Sequence, residues 1–205
     1  MKDKPATVFV VDDDDAVRTS LRLLLKSVGL PVETFDSATA FLDQYDGNRA
    51  GCLVLDIRMP GMSGLDLQQA LNERHSILPI VFITGHGDVP MAVEAMQAGA
   101  VDFIQKPFRD QDLIDRINRG LTKDGEMRDA LRARDDIRLR IGELTPRERE
   151  VLDLVTAGKA NKVIAGDLNV SQRTVEIHRA RVMEKMNANS LAHLVRMVIE
   201  AQRED

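Results

Sequence analysis

Four apolar runs in the first half of the chain each end at a charged or hydroxylated residue. The runs cover residues 7–11, 52–55, 79–83 and 101–105, and the residues that follow them are Asp12 with Asp13, Asp56, Thr84 and Lys106. Short apolar runs separated by helix-like stretches are typical of parallel strands buried on both faces. Ligands bind such sheets at the carboxyl ends of the strands, so these five side chains are expected to meet at one edge.

The intervening segments complete an alternating strand–helix pattern. A further strand is predicted at 31–35, and helices are predicted at about 14–28, 37–46, 63–74, 88–98 and 110–121. Five such units in about 120 residues predict an α/β fold with a doubly wound, five-stranded parallel sheet. Because the crossovers in such a sheet are right-handed, the acidic edge is expected at the ends of the first and third strands.

The pattern changes after residue 121. Residues 122–142 are dense in charge and carry only a thin apolar stripe, formed by Met127, Leu131, Ile137 and Ile141. We interpret this segment as a solvated helical linker that acts as a spacer. The alternative is a weak pairing seam.

The rest of the chain, residues 143–205, is predicted to be entirely helical. Thr145, Pro146 and Glu148 form a capping box with proline at the first helical position. Four helices are expected, at about 148–157, 161–168, 172–186 and 190–203, and Ser171 is expected to cap the third. A short helix followed by a tight turn and a longer, locally basic helix is typical of the helix-turn-helix motif of DNA-binding proteins.

Composition, charge and cysteine content limit the kinds of protein to which the chain can belong. With 43% hydrophobic and 30% charged residues, the chain is ordinary for a soluble globular protein. The net charge of −5 belongs to the first 142 residues, since residues 143–205 carry 10 basic and 10 acidic side chains. A single cysteine, Cys52, excludes an internal disulfide and a cysteine-ligated metal. With no membrane-length apolar run and no signal peptide, a cytoplasmic location is expected.

The acids at the predicted sheet edge favour phosphate chemistry on a divalent metal. Carboxylates crowded together repel each other, and a hard cation such as Mg²⁺ relieves that repulsion. A carboxylate also attacks phosphorus to form an acyl phosphate. Lys106 is suited to neutralise charge on the transferred group, and Thr84 to donate a hydrogen bond to it.

These residues resemble the receiver domain of two-component response regulators. The resemblance rests on Asp12 and Asp13, on Asp56 with the segment 57–64, and on the Thr84–Gly85 and Lys106–Pro107–Phe108 strings. It implies a flavodoxin-like fold over residues 1–121, phosphorylated on Asp56 by a histidine kinase.

The same resemblance assigns roles around Asp56. Asp13 and Asp56 would hold Mg²⁺ (or Mn²⁺) directly, with Asp12 acting through water and the main-chain carbonyl of Arg58 as a further ligand. Thr84 and Phe103 would form the switch pair. Lys106 would bind the phosphate and precede a cis bond to Pro107.

Residues 83–96 narrow the resemblance to the FixJ-type subfamily, in which the helix after Thr84 and the next strand form a phosphorylation-dependent dimer face. The residues expected on that face are Val89, Pro90, Met91, Val93, Glu94 and Met96. Four large apolar side chains in one short helix exceed what a single core face needs, and some are expected to be exposed until a partner covers them. The alternative is that all four are core.

The C-terminal segment resembles LuxR-type domains through the strings at 144–152, 161–165 and 173–179. Helical geometry places Val175, Val182 and Met186 on the packing side of the third helix. The opposite side is expected to contact base edges through Glu176, Ile177, Ala180 and Arg181. Further DNA contacts are expected from Lys162, Ser171, Arg173, Thr174 and Lys185, mostly to phosphates.

The sequence therefore predicts a phosphorylation-controlled transcription factor. Phosphorylation is expected to promote homodimerisation, unmasking of the helix-turn-helix, or both, for binding to promoter DNA and for work with RNA polymerase. One alternative is a Mg²⁺-dependent phosphatase or phosphotransferase with Asp56 as nucleophile, but the acid expected two residues later is absent. The other is a DNA-binding protein that ignores phosphate.

Overall fold

The computed structural model describes residues 5–85 and 89–202. The chain divides into two compact units, Met1–Arg128 and Asp129–Asp205, and each is described by itself. No helix within the described ranges is both long and apolar enough to cross a membrane.

The first unit contains the predicted parallel sheet. Its strands are β1 (Thr7–Val11), β2 (Val32–Phe35), β3 (Gly51–Asp56), β4 (Ile80–Thr84) and β5 (Asp102–Gln105). All neighbouring pairs are parallel, in the order β2-β1-β3-β4-β5. The strand order therefore reverses between β1 and β3, and the crevice at that switch point lies at the ends that carry Asp12 and Asp56, as predicted.

Helices cover both faces of the sheet. They are α1 (Asp15–Ser27), α2 (Ala38–Gln44), α3 (Gly64–Glu73), α4 (Val89–Gln97) and α5 (Asp110–Gly142). Alternate residues of the central strands supply two separate cores. Phe9, Leu55 and Phe82 lie in the core that α2, α3 and α4 cover, whereas Val54 and Ile83 lie in the core that α1 and α5 cover.

The two edge strands are less buried than the central strands, which the sequence does not predict for β5. In β5 only Ile104 is buried, and Phe103 is 38% exposed. In β2 only Phe35 is buried. The expectation that the four apolar runs are strands buried on both faces is therefore wrong for β5, because an edge strand has a neighbour on one side only.

The second unit is helical, as predicted. Its helices are α6 (Pro146–Thr156), α7 (Asn161–Asp167), α8 (Gln172–Lys185) and α9 (Leu191–Gln202). The capping box at Thr145 and Glu148 is present, and the hydroxyl of Ser171 caps α8. The predicted end of the last helix at residue 203 lies outside the described residues. Ile137 and Ile141 pack against the core of this unit, so half of the linker's apolar stripe is used there.

Helix α5 runs through residues 122–142 without a break, and its first turns in this segment are bound to the sheet. Asp124 is 1% exposed and accepts a hydrogen bond from the main-chain N–H of Gly51 at 3.0 Å. Arg128 donates from Nε to both oxygens of Asp124, and its Nη atoms donate to the carbonyls of Asn48 and Arg49 at 3.1 and 2.8 Å. The interpretation of this segment as solvated is therefore wrong at Asp124.

We expect Asp124→Ala to lower the free energy of unfolding of the first unit by roughly 3 kcal/mol, because it leaves the Gly51 amide and the Arg128 guanidinium without their buried partner. Urea unfolding followed by tyrosine fluorescence measures this unit alone, since Tyr45 is the single tyrosine and the chain has no tryptophan.

Asp129→Ala is the matched control for this prediction. Asp129 follows Arg128 on the same helix, at the first position of the second unit, its side chain is 80% exposed, and within the described ranges it forms a 3.8 Å ion pair with Arg132. Its removal should change the unfolding free energy by less than about 0.5 kcal/mol. Equal effects of the two substitutions would contradict the role given to Asp124.

Candidate phosphoacceptor site and DNA-binding surface

One ammonium group connects the two buried acids at the end of the sheet. Lys106 donates from Nζ to Asp12 Oδ2 at 2.9 Å and to Asp56 Oδ1 at 2.8 Å. Burial alone lowers the pKa of Lys106, but its hydrogen bonds with Asp56 and Asp12 outweigh burial, and the pKa of the ammonium lies above its ordinary value. Lys106 is therefore held as a cation between two carboxylates.

Asp56 is the last residue of β3 and is 8% exposed. Its Oδ2 accepts a hydrogen bond from the main-chain N–H of Arg58 at 2.8 Å. Burial raises the pKa of Asp56 above its ordinary value, and the hydrogen bond and charge of Lys106 offset only part of that rise. Gly64 begins α3 directly against this residue, where a Cβ would lie 2.3 Å from the carbonyl oxygen of Asp56.

The two acids that follow β1 differ in how they are held. Asp12 is 1% exposed, and its Oδ1 accepts a hydrogen bond from the main-chain N–H of Asp14 at 2.9 Å. Asp13 is exposed, and its carboxylate has no hydrogen bond or ion pair with any residue that the structure describes. Asp14 caps α1.

The donor set fits a magnesium ion. Among the described residues, no group of three or more acidic, histidine or cysteine side chains is arranged to hold a metal. Asp12 and Asp56 nevertheless already share one cation, Lys106, and Asp13 lies beside them at the end of β1. Mg²⁺ needs only one or two carboxylates, since water and phosphate oxygens complete its octahedron.

Thr84 and Phe103, the expected switch pair, lie on neighbouring strands. Phe103 is in register with Phe82, and Thr84 lies two residues beyond Phe82 on the same strand, so all three share the sheet face that α4 covers. The Thr84 side chain is buried, and its hydroxyl donates to the carbonyl of Gly85 at 3.3 Å. Phe103 is exposed. Beyond the pair, the peptide bond between Lys106 and Pro107 is cis, as expected.

Helix α4 exposes part of its apolar surface. Val93 and Met96 are 51% and 40% exposed, and Pro90 and Glu94 are also exposed. Met91 is half-buried against the core. The alternative that all four apolar side chains are core is therefore wrong. The Val89 side chain and residues 86–88 lie outside the described part of the chain.

Helix α8 presents a polar surface to solvent, as helical geometry predicts. Val175, Val182 and Met186 are buried in the core of the second unit. The exposed side carries Arg173, Glu176, Ile177, Ala180 and Arg181, and the nearby Ser171 and Lys162 are exposed as well. Thr174 is half-buried.

Comparison with known proteins assigns both units. Residues 8–118 match the response regulator receiver domain, and residues 142–198 match the luxR family of bacterial regulatory proteins. The chain is a response regulator.

Relatives of this response regulator cover nearly the whole chain. It is 46% identical over 194 residues to the transcriptional regulatory protein FixJ of Bradyrhizobium diazoefficiens, covering 95% of both chains. It is 43% identical over 197 residues to the response regulator TodT of Pseudomonas putida, covering 96% of this chain and 87% of that protein. The solved structure of the response regulator StyR superimposes with a TM-score of 0.85 at 50% identity, covering 95% and 98% of the two chains. These relatives are regulators, which favours the predicted transcription factor over the phosphatase or phosphotransferase alternative.

Lys185 is engaged within the second unit of this response regulator, in contrast to its expected phosphate contact. Its Nζ donates to Glu148 Oε2 at 2.7 Å and to the carbonyl of Glu143 at 3.2 Å. Glu148 is 2% exposed, and the hydrogen bond from Lys185 lowers its pKa to about 2, with the Thr145 main-chain N–H acting in the same direction. The charge of Lys185 therefore neutralises a buried capping-box acid, and its expected contact with DNA phosphate stays a prediction.

Several residues that stabilise the two units give no signal in the sequence. Arg18 donates to the main-chain carbonyl of Asp12, and Arg128 to those of Asn48 and Arg49. A main-chain acceptor has the same chemistry at every residue, so no spacing of side chains reveals such a contact. The Glu148 pair with Lys185 joins positions 37 residues apart.

We expect Lys185→Met to destabilise the second unit at neutral pH by about 1 kcal/mol, a value that allows for the partial exposure of Lys185. Because the folded-state pKa of Glu148 lies below its ordinary value of 4.5, the pair stabilises fully above pH 4.5. The difference from wild type should then shrink as the pH falls from 4.5 toward 2. Urea unfolding, followed by the NMR methyl signals of Val151 and Val182, measures the unfolding free energy of the second unit at each pH.

Lys159→Met is the control, because Lys159 forms a 2.8 Å ion pair with Asp167 in which both side chains are more than 40% exposed. This variant should match wild type at every pH. A destabilisation by Lys185→Met that stays constant between pH 7 and the acid range would rule out the Glu148 pair as its cause.

Proposed function

We propose that this response regulator accepts a phosphoryl group on Asp56 from a histidine kinase in the cytoplasm. The observation that carries the proposal is the pair of hydrogen bonds from Lys106 to Asp12 and Asp56. A fixed cation beside a carboxylate at the mouth of a sheet edge is suited to neutralise a phosphoryl group that arrives there. Asp56 Oδ forms the new bond to phosphorus, and the bond from phosphorus to the kinase histidine breaks.

Asp12, Asp13, Asp56 and the carbonyl of Arg58 would hold Mg²⁺. When bound, the metal supplies positive charge to the oxygens of the transferring phosphoryl group. Lys106, which follows β5, supplies the remaining positive charge. Thr84 donates a hydrogen bond to the phosphoryl group once its hydroxyl leaves the carbonyl of Gly85.

Phosphorylation changes the surface formed by α4 and β5. When Thr84 moves toward the phosphoryl group, it vacates space on the face that it shares with Phe103, and the exposed Phe103 ring turns inward. Val93 and Met96 then form part of a face that a second copy of the chain covers. The half-exposed apolar side chains of α4 support this step, since a partner removes them from water.

Dimerisation raises the affinity for promoter DNA. Two recognition helices on one dimer reach two major-groove half-sites, and the second contact is effectively intramolecular. Arg181 is suited to donate to guanine and Glu176 to accept from cytosine, while Ile177 and Ala180 contact base edges. Lys162, Ser171, Arg173 and Thr174 contact phosphates. Unmasking of α8 acts with dimerisation or in its place, and bound protein activates transcription through RNA polymerase.

The proposal is tested by binding to DNA fragments selected from a random pool with the wild-type protein, Mg²⁺ and acetyl phosphate. Acetyl phosphate should tighten binding by at least about tenfold in wild type. Asp56→Ala should bind equally with and without it, whereas Asp43→Ala, an exposed acid on the same unit, should respond like wild type.

A third variant separates phosphate uptake from DNA binding. Arg181→Ala should take up phosphate normally but lose roughly 1–3 kcal/mol of DNA-binding free energy and some discrimination at one base position. Arg196→Ala, an exposed arginine on α9, is its control. An acetyl phosphate response retained by Asp56→Ala would refute the proposal.

A further inference from the structure

Arg18 is bound to the main chain of the acidic site. It lies in the first turns of α1, with a side chain only 16% exposed. Its Nη1 donates to the carbonyl oxygen of Asp12 at 2.7 Å, and its Nη2 donates to Asp15 Oδ1 at 3.0 Å. The pair with Asp15 is exposed and contributes little, so the contact with the carbonyl is the one that fixes the guanidinium.

The carbonyl of Asp12 belongs to the same planar peptide unit as the amide of Asp13. A donor that fixes this carbonyl therefore restrains the peptide plane, and with it the Asp13 Cα from which the side chain extends. The Asp13 carboxylate has no other restraint among the described residues, whereas Asp12 is held by Lys106 and by the N–H of Asp14. Asp13 is thus the acid of the site whose placement depends on the backbone.

We propose that Arg18 is a positioning residue for the divalent-metal site, which holds the Asp12–Asp13 peptide so that the Asp13 carboxylate is placed for Mg²⁺ before the ion binds. The inference rests on the proposed function of the acidic site. Groups that orient a metal ligand by hydrogen bonding commonly raise metal affinity by about 10–100-fold.

Simple electrostatics predicts the opposite change in Mg²⁺ affinity when Arg18 is removed. A guanidinium near a metal site repels the ion, so that removal of the charge alone would tighten Mg²⁺ binding. Positioning predicts that removal of the donor weakens binding. The direction of the change therefore separates the two effects.

The test compares wild type with Arg18→Met, which keeps the length of the side chain but has no donor, and with Arg18→Lys, which restores one donor. Arg22→Met is the control, since Arg22 lies one turn further along α1 and is exposed. Mg²⁺ alone is titrated into the full-length protein, and binding is followed by the NMR shifts of the main-chain amides of Asp13 and Arg58. These spectra also report whether each variant is folded.

We expect the Mg²⁺ dissociation constant to rise about tenfold in Arg18→Met, to rise less in Arg18→Lys, and to stay unchanged in Arg22→Met. An unchanged or tighter constant in Arg18→Met overturns the inference. If Arg18→Met does not fold, Arg18→Gln, which removes the guanidinium but keeps a polar side chain, decides: an unchanged or tighter constant in Arg18→Gln overturns it.

A second readout is phosphate uptake from acetyl phosphate at increasing Mg²⁺. Arg18→Met should need about tenfold more Mg²⁺ for half-maximal uptake and should reach the wild-type plateau. A lower plateau at saturating Mg²⁺ would indicate general damage and contradict positioning. Failure of wild type to take up phosphate on Asp56 would defeat the proposed function, while the Mg²⁺ titration would still decide the role of Arg18.

Discussion

The ammonium of Lys106 between Asp12 and Asp56 is the interaction on which the rest of the site depends. Two buried carboxylates from β1 and β3 are tolerated at one edge because a cation from β5 lies between them. Removing one member of such a set leaves an uncompensated buried charge, which costs roughly 3–5 kcal/mol. The same contact ties the edge strand to the centre of the sheet, so a change of charge at Asp56 reaches β5 directly.

That connection gives the proposed switch a physical basis. Lys106 also donates its main-chain N–H to the carbonyl of Thr84 at 2.8 Å, so the ends of β4 and β5 move with the ammonium. In the proposed mechanism, a phosphoryl group on Asp56 draws Lys106 and the Thr84 hydroxyl to itself. Phe103 and the exposed apolar side chains of α4 lie on the surface that this displacement alters. Packed elements of this kind shift between discrete arrangements, which amplifies a small movement into a new dimer face.

The sequence predicts the sheet and its acidic edge because the carboxyl ends of parallel strands meet at the same edge of a sheet. The apolar runs before Asp12 and Asp56 show where two of these strands end. The sequence does not predict that Arg18 holds that edge, or that Arg128 holds the segment before β3 at the other end of the sheet, because both act on main-chain atoms. Nor does local charge tell a DNA-contacting cation from a structural one. Lys185 lies in a basic helix yet neutralises Glu148, a contact that only the packing of α6 against α8 creates.

Sedimentation velocity of wild type and Asp56→Ala, each with Mg²⁺ and with or without acetyl phosphate, tests the central claim most directly. The account predicts that acetyl phosphate shifts wild type from monomer to dimer and leaves Asp56→Ala unchanged. A shift in both proteins would contradict the role of Asp56. No shift in a wild-type sample shown by mass spectrometry to carry phosphate on Asp56 would contradict the coupling between the phosphoryl site and the face formed by α4 and β5.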